Sequence, residues 1–319
     1  MAHVTFIHGI GNKPEQKELL TRWRRALANA ATPLDLSAEG VTSEMVYWAD
    51  VLYAEPVSSD TYEESSSEGS DIEGVAGETE VVSLSQSTDT DESLWISAIA
   101  QRLGTESFNL YDHSEAQSSF SAPEGSFANE LERIPLPWVV KKEFLRRFIR
   151  DVHHYLFNST STPRPGETYE VQTEIRKRFI EKLKLADGKA GPHIVVSHSM
   201  GTVIAYDCLK RVPECPCVDA LITIGSPLGI DEIQDKLKPE WSRNDGFPQE
   251  KVISDWNNFF DPLDIVSRLD THLANDYKRE GVEVILDQRQ SNDGLWRHDV
   301  EKYLKGREVS SAIEQLLEG

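Results

Sequence analysis

The sequence predicts an α/β domain, a largely parallel sheet with helices on both faces, and two observations carry that prediction. Short β-branched and apolar runs alternate along the chain with segments whose apolar residues recur at helical spacing. The best of these runs are apolar at nearly every position, as strands covered on both faces must be. At 319 residues with 39% hydrophobic and 8% aromatic content, the chain can bury a sizeable core.

Residues 3–8 form the first run and end in His8-Gly9-Ile10-Gly11. Asn12 and Pro14 then open a helix with Leu19, Leu20, Trp23, Ala26, Leu27 and Ala30 at helical spacing. Residues 45–53 read as a second strand. From 55 to 93 the composition turns to Ser, Glu, Asp, Thr and Gly, which bury too little apolar surface to offset ordering entropy. The expectation is one domain over 1–319 with an insertion at 54–160: an acidic mobile loop at 58–92, then a helical cap at about 94–157.

Within that cap, Phe144, Leu145, Phe148, Ile149, Val152, Tyr155 and Leu156 make one helical stripe. Lys141, Lys142, Arg146, Arg147 and Arg150 are expected on its other face, as a solvated surface or, in the sharper reading, a peripheral contact of residues 138–157 with anionic lipid. A further helix follows at about 169–185. Next come the strand 193–196, a helix carrying Val203, Ile204, Tyr206 and Leu209, strands at 218–224, 252–260 and 282–286, and a C-terminal helix.

Charge and motifs narrow the function classes. Net charge is −21, and no Lys or Arg occurs between Arg25 and Arg102, where sixteen Asp and Glu lie. Such a surface repels nucleic acid. No apolar run approaches the roughly 18 residues of a membrane span. The start lacks a basic, cleavable leader, and Cys208, Cys215 and Cys217 form neither a disulfide framework nor a zinc pattern. The expected setting is cytoplasmic. No HExxH, P-loop or dinucleotide glycine motif is present, so neither metal nor cofactor is expected.

The chemistry lies where the strand 193–196 meets Ser197-His198-Ser199-Met200-Gly201 and the helix after it. A serine hydroxyl needs a base and anion stabilisation to act as a nucleophile. A nucleophile on a tight strand-to-helix turn needs small residues two before and two after it. Ser197 and Gly201 meet that demand, although the usual pattern has Gly at both places. The competing reading is a plain helix N-cap.

On these residues the chain resembles the α/β-hydrolases, and the segment from Ser199 to Asp207 is similar to the elbow and helix of intracellular lipases and esterases. His8-Gly9-Ile10-Gly11 looks like the HG oxyanion loop of lipases. The resemblance implies that the amides of Ile10 and Met200 bind the oxyanion, that His8 is structural, and that the sheet is trimmed of two strands before this loop. It also implies the chain order nucleophile, acid, histidine. Asp264 follows the strand 252–260, lying 65 residues after Ser199 and 34 before His298. His298 precedes the C-terminal helix. Asp261 is the alternative acid, with a turn role next to Pro262 as the reading against it. The expected function is cleavage of a carboxylic ester on a small molecule or lipid, with thioester or amide as variants. The rival is a catalytically silent hydrolase fold that binds partners through its acidic insertion.

Overall fold

A computed structural model describes residues 1–37, 40–59, 62, 90–103, 138–186 and 188–318. Its centre is a six-stranded, wholly parallel sheet in the order β2-β1-β5-β6-β7-β8. The strands are β1 (Ala2–Ile7), β2 (Val41–Val46), β5 (His193–His198), β6 (Val218–Ile224), β7 (Val252–Phe260) and β8 (Leu286–Arg289). β3 (Thr160–Arg164) and β4 (Glu167–Glu170) form a separate antiparallel hairpin. The α/β class expected from the alternating pattern is therefore the class observed.

Alternation along each central strand feeds two cores. Val4, Phe6, Ile194, Val196 and Ile222 point to one face, against α1 (Gln16–Ala28), α7 (Val300–Lys305) and α8 (Arg307–Glu318). Ile7, Val195 and Leu221 point to the other face. There they meet α3 (Trp138–Leu156), α4 (Val171–Lys184) and α5 (Met200–Arg211). α2 (Thr90–Arg102) packs on α3 and on α6 (Asp231–Lys236). Both faces of β5 are thus buried along its length, which is why that strand reads as continuous apolar sequence.

Some boundaries differ from the sequence reading, for physical reasons. β2 runs earlier than 45–53, because after Val46 the chain turns at Ala49–Val51 and buries Trp48 in the core. β8 runs later than 282–286: Val282 forms an isolated bridge with Arg279 outside the sheet, and pairing with β7 begins at Leu286. Three of the basic residues of α3 do not lie on the solvated face expected of them, and the side chain of Lys142 lies outside the described residues. Lys141, Arg147 and Arg150 are buried, and Arg146 is half-buried. Arg150 pairs with Asp151 at 2.8 Å and Arg147 with Glu143 at 3.1 Å. Most of the expected acidic loop at 58–92, and residues 104–137 of the expected cap, lie outside the described residues. Among the described residues no helix is long and apolar enough to cross a membrane.

β1 has β2 on one side and β5 on the other, so the loops leaving β1 and β5 part in opposite directions between those strands. A crevice at the carboxyl ends of strands, where the order reverses, is where open α/β sheets bind ligands. The loop 8–13 and Ser199 flank that crevice.

Candidate active site

Ser199 stands between β5 and α5 with φ 53° and ψ −129°. A residue with a Cβ rarely adopts this left-handed conformation, and it persists only where the surroundings impose it. Here the Ser199 amide donates to Ile224 O at 2.9 Å, and Thr202 Oγ1 donates to Ser199 O at 2.7 Å. The neighbours are small by necessity. A Cβ on Gly201 would lie 2.7 Å from both Ile7 O and His8 O, and one on Gly9 would lie 2.6 Å from Ser199 Cβ. Ser197, two before Ser199, is accommodated because its hydroxyl donates to Ile222 O at 2.8 Å. A plain N-cap role is not what the side chain does: its oxygen makes no capping bond to α5. It meets His298 Nε2 at 2.9 Å instead.

His298 sits in the loop between β8 and α7. Its Nδ1 lies 2.8 and 2.9 Å from the two oxygens of Asp264, which the loop after β7 presents. Asp264 is fully buried, and burial alone would raise its pKa. The charge and hydrogen bond of His298, the Val266 amide at 2.8 Å and the Tyr303 hydroxyl at 2.8 Å outweigh burial and hold it below the ordinary carboxylate value. An ionised Asp264 can only accept, so Nδ1 carries the imidazole proton and Nε2 is left to accept from Ser199. Burial, then Asp264, raises the Tyr303 pKa far above the usual phenol range, so its hydroxyl stays a donor.

Asp261 does not reach His298. Its Oδ1 accepts from the Leu263 amide at 2.7 Å, and its Oδ2 accepts from the Asn292 amide at 2.6 Å and Arg297 Nη1 at 3.2 Å. It fastens the loop carrying Asp264 to the loop carrying His298. Of the two candidate acids, the one in contact with the imidazole is Asp264.

The loop after β1 is equally constrained. Trp48 N donates to His8 Nε2 at 3.0 Å, so His8 Nδ1 bears the proton and donates to Gly9 O at 2.9 Å. That bond fixes the peptide whose N–H belongs to Ile10. Burial, then the Lys13 ammonium, holds the His8 pKa well below the usual range, which keeps this tautomer neutral. Met200 opens α5, where first-turn amides have no carbonyl partner inside the helix and the dipole favours negative charge. Gly9, Ile10, Lys13, Phe144, His198, Ser199 and His298 line one cavity of about 10 Å³, the room of about one water molecule. Among the described residues no cluster of three or more His, Cys, Asp or Glu is arranged to hold a metal ion.

Three neighbours of the site were not legible as such in the sequence. Phe144, on α3, sets its ring edge-on to His298 at 5.4 Å. Its place in the apolar stripe marked it as buried, but not against what. His198 Nε2 donates to His298 O at 2.9 Å and so holds the backbone of that loop. Tyr303 lies five residues beyond His298 on the helix that follows, and that spacing is the only available hint of its link to the acid.

Compared with known proteins, the chain matches no family model, and no curated protein matches its sequence.

Proposed function

We propose that the chain is a serine hydrolase of the α/β-hydrolase type that cleaves a carboxylic ester through an acyl-enzyme on Ser199. The observation that carries this reading is the single hydrogen-bonded line from the Ser199 hydroxyl through His298 to Asp264, anchored on a left-handed serine. In the reaction, Ser199 Oγ bonds to the ester carbonyl carbon as its proton passes to His298 Nε2. The Ile10 and Met200 amides bear the oxyanion charge, and Asp264 stabilises the imidazolium. Collapse breaks the bond to the alcohol, which leaves with the proton held by His298. Water then attacks the acyl carbon, gives its proton to the same nitrogen, and releases the acid and Ser199.

Ile10 and Phe144 are the large apolar side chains beside Ser199, which makes an ester with an apolar acyl group the first substrate to try. Labelling of the intact protein by a fluorophosphonate, abolished in Ser199→Ala, is the expected result. A panel of p-nitrophenyl esters of increasing acyl length then reads the substrate class. Ser199→Ala should lose on the order of 10⁴–10⁶ in rate with a nearly unchanged thermal midpoint. Wild-type protein that takes no label, or a Ser199→Ala chain within tenfold of wild type, would end the reading, and the first outcome would favour a silent binding module.

A further inference from the structure

We propose that Asp151, on α3 of the insertion, is a positioning residue for the oxyanion loop, so that the insertion is a working part of the catalytic frame and not a detachable cover. The proposal rests on the hydrolase reading above.

The peptide between Ile10 and Gly11 is held at both ends by charged groups. Lys13 Nζ donates to Ile10 O at 2.5 Å, and the Gly11 amide donates to Asp151 Oδ2 at 2.8 Å. The first contact is local, three residues along the chain. The second joins residues 140 apart and comes from another layer of the molecule. A charged partner shortens and strengthens such bonds relative to neutral ones, and both ends here have one.

Asp151 is itself fixed. It is fully buried, with Tyr53 OH donating to Oδ2 at 3.0 Å and Arg150 Nε donating to Oδ1 at 2.9 Å. Arg150 also donates to the Tyr53 hydroxyl, closing a ring of three side chains. A buried carboxylate whose oxygens are all engaged keeps one geometry, since leaving a donor unpaired is costly. Asp151 therefore passes the position of α3 to the loop. Seven residues earlier the same helix places Phe144 on the His298 ring. One helix thus touches both the base and the element that bears the oxyanion donor, the Ile10 amide.

The expected consequence is selective. The Ile10 N–H is needed most when charge develops on the carbonyl oxygen, so loosening its loop should lower kcat more than it raises KM. A misplacement of about 1 Å in a catalytic frame costs about 100-fold in rate. Asp151→Asn puts an NH₂ where two or more donors converge, which releases either Gly11 or Arg150.

The test uses the full chain and counts working sites by fluorophosphonate titration, so that loss of folded protein is not read as loss of chemistry. Asp151→Asn should show kcat per titrated serine lower by about 10- to 100-fold, KM within about threefold, and an acid limb of the pH–rate profile at the wild-type position. The last term separates it from damage to the Asp264–His298 pair, which would move that limb. If Asp151→Asn does not fold, Tyr53→Phe removes one donor from the same carboxylate and should lower kcat per titrated serine by severalfold. Unchanged kcat per titrated serine in the folded variant, with only the thermal midpoint lowered, overturns the proposal and leaves Asp151 a packing residue. Wild-type protein that takes no label overturns the hydrolase reading itself, and this proposal with it.

Discussion

At the scale of single residues, the two acids after β7 divide the work in a way that mutation can expose. Asparagine at 264 keeps the shape but offers His298 no full charge, so kcat should fall by about 10⁴ with a near-native fold. Asparagine at 261 should keep kcat within about tenfold. It weakens bonds to Leu263, Asn292 and Arg297, and hydrogen bonds to charged groups contribute about 1.5–3 kcal/mol each at most. Urea melts and turnover on one ester separate the cases, and the reverse pattern would make Asp261 the acid. The pH dependence carries a sign as well. Because Asp264 is more acidic folded than unfolded, the unfolded chain takes up the proton first on acidification. Its stabilising contribution is complete above the ordinary carboxylate value and is lost as pH falls through the lower folded one. Asp264→Asn should flatten the stability curve in that acid window, and an unaltered acid limb would contradict the coupling. Much of this was legible: a strand-flanked serine, acids after a later strand and a histidine before the last helix are all local signals. Choosing between Asp261 and Asp264 was not, because two aspartates three positions apart in one loop differ only in which way the loop turns them.

At the scale of elements, β1 and β5 set His3 beside His193 in register, with ring centroids 5.1 Å apart. Burial, then Lys189 for His3, lowers the pKa of His3 to about 4. Burial, against the opposing pull of Asp219, does the same for His193. Both are neutral in the folded sheet near pH 6, where the unfolded chain is already taking up protons. Stability should therefore fall as pH drops from about 6.5 towards 4, and His193→Gln should reduce that slope by about half. A slope that survives the substitution would assign it to other groups. Phe144 supplies the second test at this scale. Phe144→Ala should cost about 3–5 kcal/mol as a core truncation, yet enlarge the cavity beside Ser199 and speed labelling by bulky phosphonates. Slower labelling would show that the ring orders the site more than it blocks it. Elements with strong periodicity, α1 and α4 among them, read correctly from the sequence. The β3–β4 hairpin did not, because its short strands are polar and half-exposed and carry no alternating apolar signal.

At the scale of the whole molecule, the acidic balance and the burial of α3 act together. With net charge −21, three of the cations that the sequence offered to anionic lipid, Lys141, Arg147 and Arg150, are buried. Sedimentation with phosphatidylserine vesicles at physiological salt should leave the protein in the supernatant. Binding that vanishes at high salt would mean that α3 turns its basic side chains outward. The class of fold was legible because layers follow from which residues alternate and which do not. The docking of α3 against the loop 8–13 was not, since no local pattern records which distant loop a buried carboxylate will serve.

The arrangement of the central strands also governs how the protein can be made. β1 lies inside the sheet, yet its partners on one side, such as Thr5 with His193, are 188 residues apart in the chain. On the ribosome, at about 5–20 residues per second, β1 therefore waits roughly 10–40 s for β5 to emerge. Through that interval the edge that β5 will pair with, and the face with Ile7 that α4 and α5 will cover, stay open, which is the condition that recruits chaperones and invites association between nascent chains. The serine on the elbow takes its final backbone shape only after that wait, when the sheet closes around β5.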